Sequence, residues 1–333
     1  MTTVVTGSTG HVGANLVREL LHEGRDLRAV TYKDITGLEG LNVPRIEADV
    51  TDYDSLVQAF KGAETVYNLV AKIDIGVNPW SEIEKINVQG VRNVVKACQT
   101  CGVKRLVHFS SIHAYDPHPL NEVIDETRPT SLYDKAPNYD RSKALGEQEI
   151  MKGVKEGLNA VIVNPTAILG PWDFKPSHMG EVFLKLYHRK LPSMVKGGFN
   201  WVDVRDVVAG AIAVEKKGQR GHKYLLSGHY TSVVDLCVIV EEVTGVKTPK
   251  WACPPWLAMM GAPFSVATAK IRGKRPQYTV DSIKALQKHA LISHAKATRE
   301  LGYQPRPLKD TIADTYAWFF ETGMLKDIRE KAA

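Results

Sequence analysis

The chain has 333 residues, 44% of them hydrophobic and 24% charged, which fits an ordinary globular protein of one large unit or two modest ones. Its formal net charge of +6 is spread along the chain, with no cluster denser than Lys270-Ile271-Arg272-Gly273-Lys274-Arg275, and no basic stripe interleaved with aromatics marks a nucleic-acid binder. The longest apolar stretch, Pro254 to Thr268, is too short to span a bilayer and is broken by Pro263, and four cysteines make no disulfide framework, so a cytoplasmic protein without a membrane span is expected.

Thr2 to Thr6 is a β-branched run cut off by Gly7. Met1 leads directly into it, so no signal peptide is expected. A short polar turn and two more glycines, Gly10 and Gly13, lead into the helical pattern Ala14 to Leu21. Strand, tight turn and helix in that order suit a dinucleotide pyrophosphate: Gly7 permits the turn, Gly10 lets backbone N–H groups approach the anion, and Gly13 lets the helix pack on the strand. The anion would rest on the helix N-terminus beside Thr9, His11 and Val12, where unpaired N–H groups favour negative charge.

Asp26 to Thr31 reads as a second strand, and the residues after it bear on cofactor choice. An acid there binds the ribose 2′-hydroxyl of NAD, whereas Tyr32-Lys33 offers a cation to a 2′-phosphate. This leans toward NADP, with Asp34 keeping NAD open. Arg45 to Asp49 is a third strand, Thr51-Asp52 starts a helix over Tyr53 to Lys61, and Glu64 to Ala71 is an apolar fourth strand of the kind buried in parallel sheets. A long helix from Ser81 to Cys101 delivers a fifth strand, Arg105 to Phe109. Cys98 and Cys101 at its end lack a second pair or a nearby His-x-x-His, so helix packing outweighs a zinc or redox role and no metal is expected. Alternating short strands and helices imply right-handed βαβ units in a doubly wound parallel sheet. Its carboxyl edge gathers the glycine loop, Asn68 to Ala71 and Ser110-Ser111 into one crevice.

Asp116 to Asn138, with four prolines, is expected to be an irregular, exposed loop. It ends at Tyr139-Asp140-Arg141-Ser142-Lys143, opening a helix through Val154. Tyr139 and Lys143, four apart, share a helical face. An ammonium beside a phenol favours the phenolate and lowers a pKa normally near ~10, making the tyrosine a proton donor and acceptor. Ala160 to Pro165 is a sixth strand, Gly170 to Asp173 a turn, Met179 to Arg189 a helix and Gly197-Gly198-Phe199 another turn. Asn200 to Val207 then starts a helix to Lys217, with Asp203 as its cap. His222 to Leu226 is a late strand. Mixed helices follow from Ser232, with a joint at Pro254-Pro255 and a last helix from Lys309 to Thr322.

Taken together, Thr6 to Gly13, Asp49-Val50, Asn68 to Ala71, Asn87 to Gly90, Ser110-Ser111, Tyr139-x3-Lys143, Asn164-Pro165 and Trp201 to Val207 resemble, in order, the extended branch of the short-chain dehydrogenase/reductase superfamily, within the NAD-dependent epimerase/dehydratase clan. The run Ala295 to Leu308 is similar to the tail of dihydroflavonol-4-reductase-like and 3β-hydroxysteroid-dehydrogenase-like members. The resemblance implies an α/β, doubly wound parallel-sheet Rossmann fold with a smaller, mixed C-terminal substrate-binding region. Residues 1–166, with contributions from about 200–228, would bind the dinucleotide; 167–199 and 229–333, mostly helical, would bind substrate.

The same resemblance implies an enzyme in which Tyr139 exchanges a proton with the substrate oxygen, Ser111 hydrogen-bonds the reacting carbonyl, and Lys143 holds the nicotinamide ribose and tunes Tyr139. Asp49 and Val50 would meet the adenine. Leu69, Val70, Ala71, Asn164 and Pro165 would complete the cofactor site, and Asn87 would tie backbone together. His11 departs from the aromatic usual at its position, and Tyr115-Asp116 departs from the Tyr-Gly of sugar-nucleotide epimerases. Lys72, His113, Trp172, Phe174 and His178 are assigned to substrate, giving an aromatic wall that favours a hydrophobic ketone or aldehyde. The implied protein is a homodimer pairing the helices that begin near Ser81 and Tyr139. Against an NADP-preferring carbonyl/alcohol oxidoreductase stand two alternatives, a sugar-nucleotide epimerase or dehydratase and a non-catalytic dinucleotide sensor.

Overall fold

The computed structural model describes residues 2–191, 193–273, 276, 278–288 and 290–326, so Lys274 and Arg275 of the basic cluster lie outside the described residues. Strands β1 (Thr2–Thr6), β2 (Leu27–Thr31), β3 (Arg45–Glu47), β4 (Ala63–Asn68), β5 (Arg105–Phe109) and β6 (Ala160–Pro165) alternate with helices. These are α1 (His11–His22), α2 (Tyr53–Phe60), α3 (Trp80–Glu84), α4 (Gly90–Thr100) and α5 (Asn138–Lys155). After β6 come β7 (Ala167–Leu169), α6 (His178–Tyr187), β8 (Met194–Val195), β9 (Gly198–Asp203), α7 (Val204–Lys217), β10 (Lys223–Leu226), β11 (His229–Ser232) and α8 (Val233–Thr244). The tail adds β12 (Ala252–Cys253), α9 (Pro255–Ile271), α10 (Val280–Ala285), α11 (Ala295–Leu301) and α12 (Leu308–Glu321).

Seven parallel strands stand in the order β10-β6-β5-β4-β1-β2-β3, so the order reverses between β1 and β4. That reversal is the topological switch point at which α/β sheets bind ligands. Val4, Val66, Leu106 and Ile162 lie fully buried beneath α2, α4 and α5. Val5, Val107 and Val163 pack on the other face, against α1 and α7. Each such side chain contributes roughly 1.5–3 kcal/mol, which is why these strands read as continuous apolar runs. The buried Cys98 thiol packs within the first of these layers.

Two details of the glycine turn are steric. Gly7 has φ +65°, the left-handed region that a side chain disfavours. A Cβ on Gly13 would sit 2.1 Å from the Gly7 carbonyl oxygen, so α1 can cross the strand end only with glycine there.

Three expectations change. The helix from Ser81 is continuous in course but contains a five-residue π-helical turn, Lys85–Gln89, between α3 and α4. The fourth strand stops at Asn68, and residues 69–71 leave the sheet to meet Gly7. Residues 198–203, expected as a turn and the start of a helix, form β9, which pairs antiparallel with β11 and parallel with β7. Gly197 at φ +142° makes the turn one residue earlier, and Trp201 is buried with its indole N–H donating to the Thr231 carbonyl at 3.0 Å. The 116–138 loop is irregular, yet Ile124 and Ser131 in it are buried.

Asp203 does cap α7, accepting from the Arg205 N–H at 2.7 Å and from the Arg205 guanidinium at 2.9 and 2.7 Å. Burial alone would raise its pKa, but the Arg205 hydrogen bonds and nearby Arg306 outweigh it and hold the carboxyl below the usual range. A depressed carboxylate stabilises the fold above its unfolded pKa and loses that contribution as pH falls. Asp203→Ala should therefore cost about 2–4 kcal/mol in urea unfolding at neutral pH, with the gap from wild type narrowing below about pH 4.

Candidate active site

The carboxyl ends of β1, β4 and β5 are stitched together by side chains. Thr6 Oγ1 donates to Asn68 Oδ1 at 2.8 Å, and the Asn68 amide nitrogen lies 3.1 Å from His108 Nδ1. Burial, with the Lys143 charge nearby, holds the His108 pKa well below its ordinary value, so the neutral ring accepts at Nδ1 and the three strand ends are fixed.

A cavity of about 510 Å³ opens over this edge. Gly7, Gly10, His11, Val12 and Gly13 line it from the first turn, Leu69 and Ala71 from the end of β4, and Pro165 from the end of β6. Ser111, Tyr139 and Lys143 line it as well, so β5 and α5 bring together three residues separated in the chain. Helix α1 begins at Gly10 with no side-chain cap, leaving first-turn N–H groups without a side-chain partner at the cavity. An apposed turn that tolerates no Cβ at Gly13 and an uncapped helix start together fit a dinucleotide pyrophosphate.

Tyr139 stands in the first turn of α5, hydrogen-bonded to Ser111. Burial raises its phenol to about 12 despite that bond. The expected lowering by Lys143 does not occur. Lys143 is buried and donates from Nζ to the Phe109 carbonyl at 2.9 Å, and burial brings its own pKa down to about 8. Desolvation acts on both groups and outweighs the Ser111 hydrogen bond at the phenol and the Glu147 charge at the ammonium, so Tyr139 is a proton-bearing phenol across the neutral range.

Supporting residues hold this group in place. Asn164 is buried outside the cavity lining; its amide donates to the Ser111 carbonyl at 3.0 Å and to Glu147 at 2.6 Å. Asn87, on the π-helical turn, accepts from the Lys72 N–H at 2.7 Å and donates to the Lys72 carbonyl at 3.0 Å and Ser142 Oγ at 2.9 Å, tying the β4 loop to α5. His113 lines the cavity, with Nδ1 2.8 Å from Asp140 Oδ1 and its ring 5.4 Å from that of Tyr139. His178 also lines it.

Other assigned residues lie elsewhere. Trp172 and Phe174 are not part of the cavity wall: they flank the Arg18 guanidinium at 5.1 and 4.8 Å, and Phe174 meets Trp318 edge-on. Lys72 pairs with Glu82 rather than facing the cavity. Thr9, Val70, Asp49, Val50, Tyr32 and Lys33 also fall outside its lining. Thr9 packs by its backbone on Gly37, and Val70 on the core. Asp49 accepts from the Thr51 N–H at 2.8 Å, and Val50 packs on Gly90. Lys33 places its ammonium 4.9 Å over the Tyr32 ring, while Asp34 is engaged by Thr36 and by Lys175 at 2.8 Å. His11 lies 3.0 Å from the Pro171 carbonyl, which also accepts from Asn15 at 3.1 Å, so the 170–173 turn is fastened to α1.

What sequence reasoning missed is most of the wall. Ile73, Ile75, Ile168, Val182, Met194 and Phe199 contribute apolar surface, and Asp74, Asp281 and Lys288 are among its charged groups. None carries a local signal, because they reach the cavity from the loop after β4, from β7, α6, β8 and β9, and from α10 and the residues after it.

The family model described as "NAD dependent epimerase/dehydratase family" matches residues 3–227. The chain is 36% identical over 330 residues to "Sterol demethylase protein B" of Methylococcus capsulatus, covering 98% of this chain and 100% of that one. It is 31% identical to "Putative dihydroflavonol 4-reductase" of Synechocystis, covering 97% and 95%. Among solved structures, that of gox2253 aligns with a TM-score of 0.85 at 33% identity over 98% of this chain and 99% of that chain. "MoeE5 in complex with UDP-glucose and NAD" aligns with a TM-score of 0.76 at 20% identity over 97% of this chain and 99% of that one, a likeness of fold.

His11→Phe removes one of the two donors on Pro171. It should lower stability by about 1 kcal/mol in thermal unfolding while leaving the sheet's circular dichroism unchanged.

Proposed function

The chain belongs to the NAD dependent epimerase/dehydratase family of oxidoreductases, and on that footing we propose that it interconverts a carbonyl and a secondary alcohol on a hydrophobic substrate, with NADP preferred over NAD. The observation that carries the reading is the cavity wall beside Tyr139. It is predominantly aliphatic and aromatic, and among the described lining residues it holds no arginine. Its lysines are occupied, Lys143 by the Phe109 carbonyl and Lys288 by Asp140 and Tyr133, while Asp74 and Asp281 add negative charge. A sugar nucleotide brings a diphosphate that such a wall would repel, whereas an apolar ketone gains by burial. This favours the carbonyl reading over the epimerase alternative, and a nucleotide sensor has no need of Ser111, Tyr139 and Lys143 in one cavity.

The uncapped start of α1 would hold the cofactor pyrophosphate, and Lys143 the nicotinamide ribose. Bound there, the nicotinamide supplies or accepts the hydride at the carbonyl carbon. In reduction, the Tyr139 phenol gives its proton to the substrate oxygen, and in oxidation it takes the proton back. The Ser111 hydroxyl donates to the same oxygen where negative charge develops. Asn164 fixes the Ser111 backbone, and Asn87 fixes the loop opposite, so the donors are set before substrate arrives. The apolar wall excludes water from the proton transfer.

Tyr139→Phe should lower kcat by a factor of about 10²–10⁴ while sparing cofactor binding, read from NADPH absorbance with a panel of apolar ketones and aldehydes. Unchanged turnover in that variant sinks the mechanism, and conversion of a sugar nucleotide without net NADPH consumption favours the epimerase.

The NADP preference rests on Lys33 and Lys175, two cations around an Asp34 already neutralised. Lys33→Ala should weaken NADP binding by roughly tenfold and NAD binding little, in fluorescence titrations at fixed salt. Equal losses for the two cofactors count against a 2′-phosphate contact.

A further inference from the structure

We propose that α9, with Trp251 just before it, docks this protein on an anionic membrane surface. The helix wears its sidedness inverted. Its small residues face inward: Ala262 and Ala269 are buried, and Ala258 packs with Met259 on the cluster of Val195 and Ile283. At about 100° per residue, Trp256, Met260, Phe264 and Ile271 share one stripe on the opposite side. These large side chains are 62%, 66%, 74% and 85% exposed, and Trp251 is 57% exposed beside them. A stripe of that size and composition marks an interaction surface rather than a solvated face.

Charge identifies what covers it. Basic residues occur throughout the chain, but the net charge is not spread along it as first expected, because their balance with acids is uneven. Between Glu242 and Asp281 there is no acidic residue, while Lys247, Lys250, Lys270, Arg272, Lys274 and Arg275 supply six positive charges. That segment accounts for the whole net charge of +6 and leaves the remainder of the chain balanced. Lys247, Lys250, Lys270 and Arg272 are exposed, bracketing the apolar stripe at both ends. An apolar stripe between two sets of cations suits a helix lying in the plane of an anionic bilayer, with rings and alkyl chains in the acyl boundary and lysines at the headgroup phosphates. A second copy of the chain meeting the same face would set like charges against each other.

The inner side of α9 packs on Tyr278 and Leu286, which line the substrate cavity. A groove along Pro263, Val266 and Thr279 shares Asp281 with that cavity, and Ile73, 74% exposed, stands at its rim. Docking by α9 would thus bring the cavity mouth to the lipid, a route for an apolar substrate. This delivery role rests on the carbonyl reading above; the docking itself does not.

The test is flotation of the full-length protein with vesicles of phosphatidylcholine alone or with about one-third phosphatidylglycerol. The wild type should float with the anionic vesicles, remain behind with the neutral ones, and shift its tryptophan fluorescence to the blue on binding. Trp256→Ser with Phe264→Ser, both exposed positions, should keep the wild-type melting temperature and stop floating. Lys270→Glu with Arg272→Glu should reduce the bound fraction at least roughly tenfold. Failure of the wild type to float, equal flotation with both vesicles, or flotation of the Ser variant overturns the proposal. So does a concentration-dependent dimer that Trp256→Ser abolishes in a protein that binds no vesicles. Flotation is read without turnover, so a protein that floats yet reduces no ketone counts only against the carbonyl reading.

Discussion

The contact on which the rest depends is the crossing of α1 over the end of β1, where the Gly13 backbone meets the Gly7 carbonyl at a distance that admits no side chain. Because α1 starts so close to the strand, its free N–H groups open at the switch point of the sheet rather than beyond it. Leu69 and Val70 can then close over Gly7 only because the fourth strand ends at Asn68. One steric allowance therefore positions an uncapped helix start, a strand end and part of the cavity lining together.

Beyond that edge, desolvation rather than pairwise attraction sets the electrostatics. Tyr139 and Lys143 are both pushed toward their neutral forms by burial, the phenol to about 12 and the ammonium to about 8. A neutral, proton-bearing phenol beside the Ser111 hydroxyl is the donor pair on which the proposed reaction relies. The fold tolerates the buried lysine because the Phe109 carbonyl accepts a hydrogen bond from it and Glu147 lies nearby. Such sites spend stability on function.

The central sheet, and the meeting of Ser111, Tyr139 and Lys143 at one cavity, were legible because their signals are local. Apart from the short, exposed β3, the strands β1 to β6 are mostly apolar runs bounded by turns, and Tyr139 and Lys143 need only a helical period to be related. The second sheet was not: β9 opens on a Gly-Gly pair that reads as a turn and ends at a helix cap, and it is a strand because β7 and β11 flank it. Trp172 and Phe174 were misassigned for a similar reason. An aromatic residue signals burial, but these two pack on the cluster that holds Trp318 and stack with Arg18, partners far away in the chain. For Tyr139, spacing shows a lysine on the same helix face but not the depth of burial that raises the phenol.

The Pro171 carbonyl, shared by His11 and Asn15, has a consequence for protein engineering. The 170–173 turn is not held by its neighbours alone: its main chain is fastened to the first helix, and Arg18 of that helix stacks on Trp172 and Phe174. A loop graft that exchanges this turn between relatives, leaving positions 11, 15 and 18 behind, transplants an acceptor without its donors. The heritable module is the turn together with one face of α1, although more than 150 positions separate them in sequence.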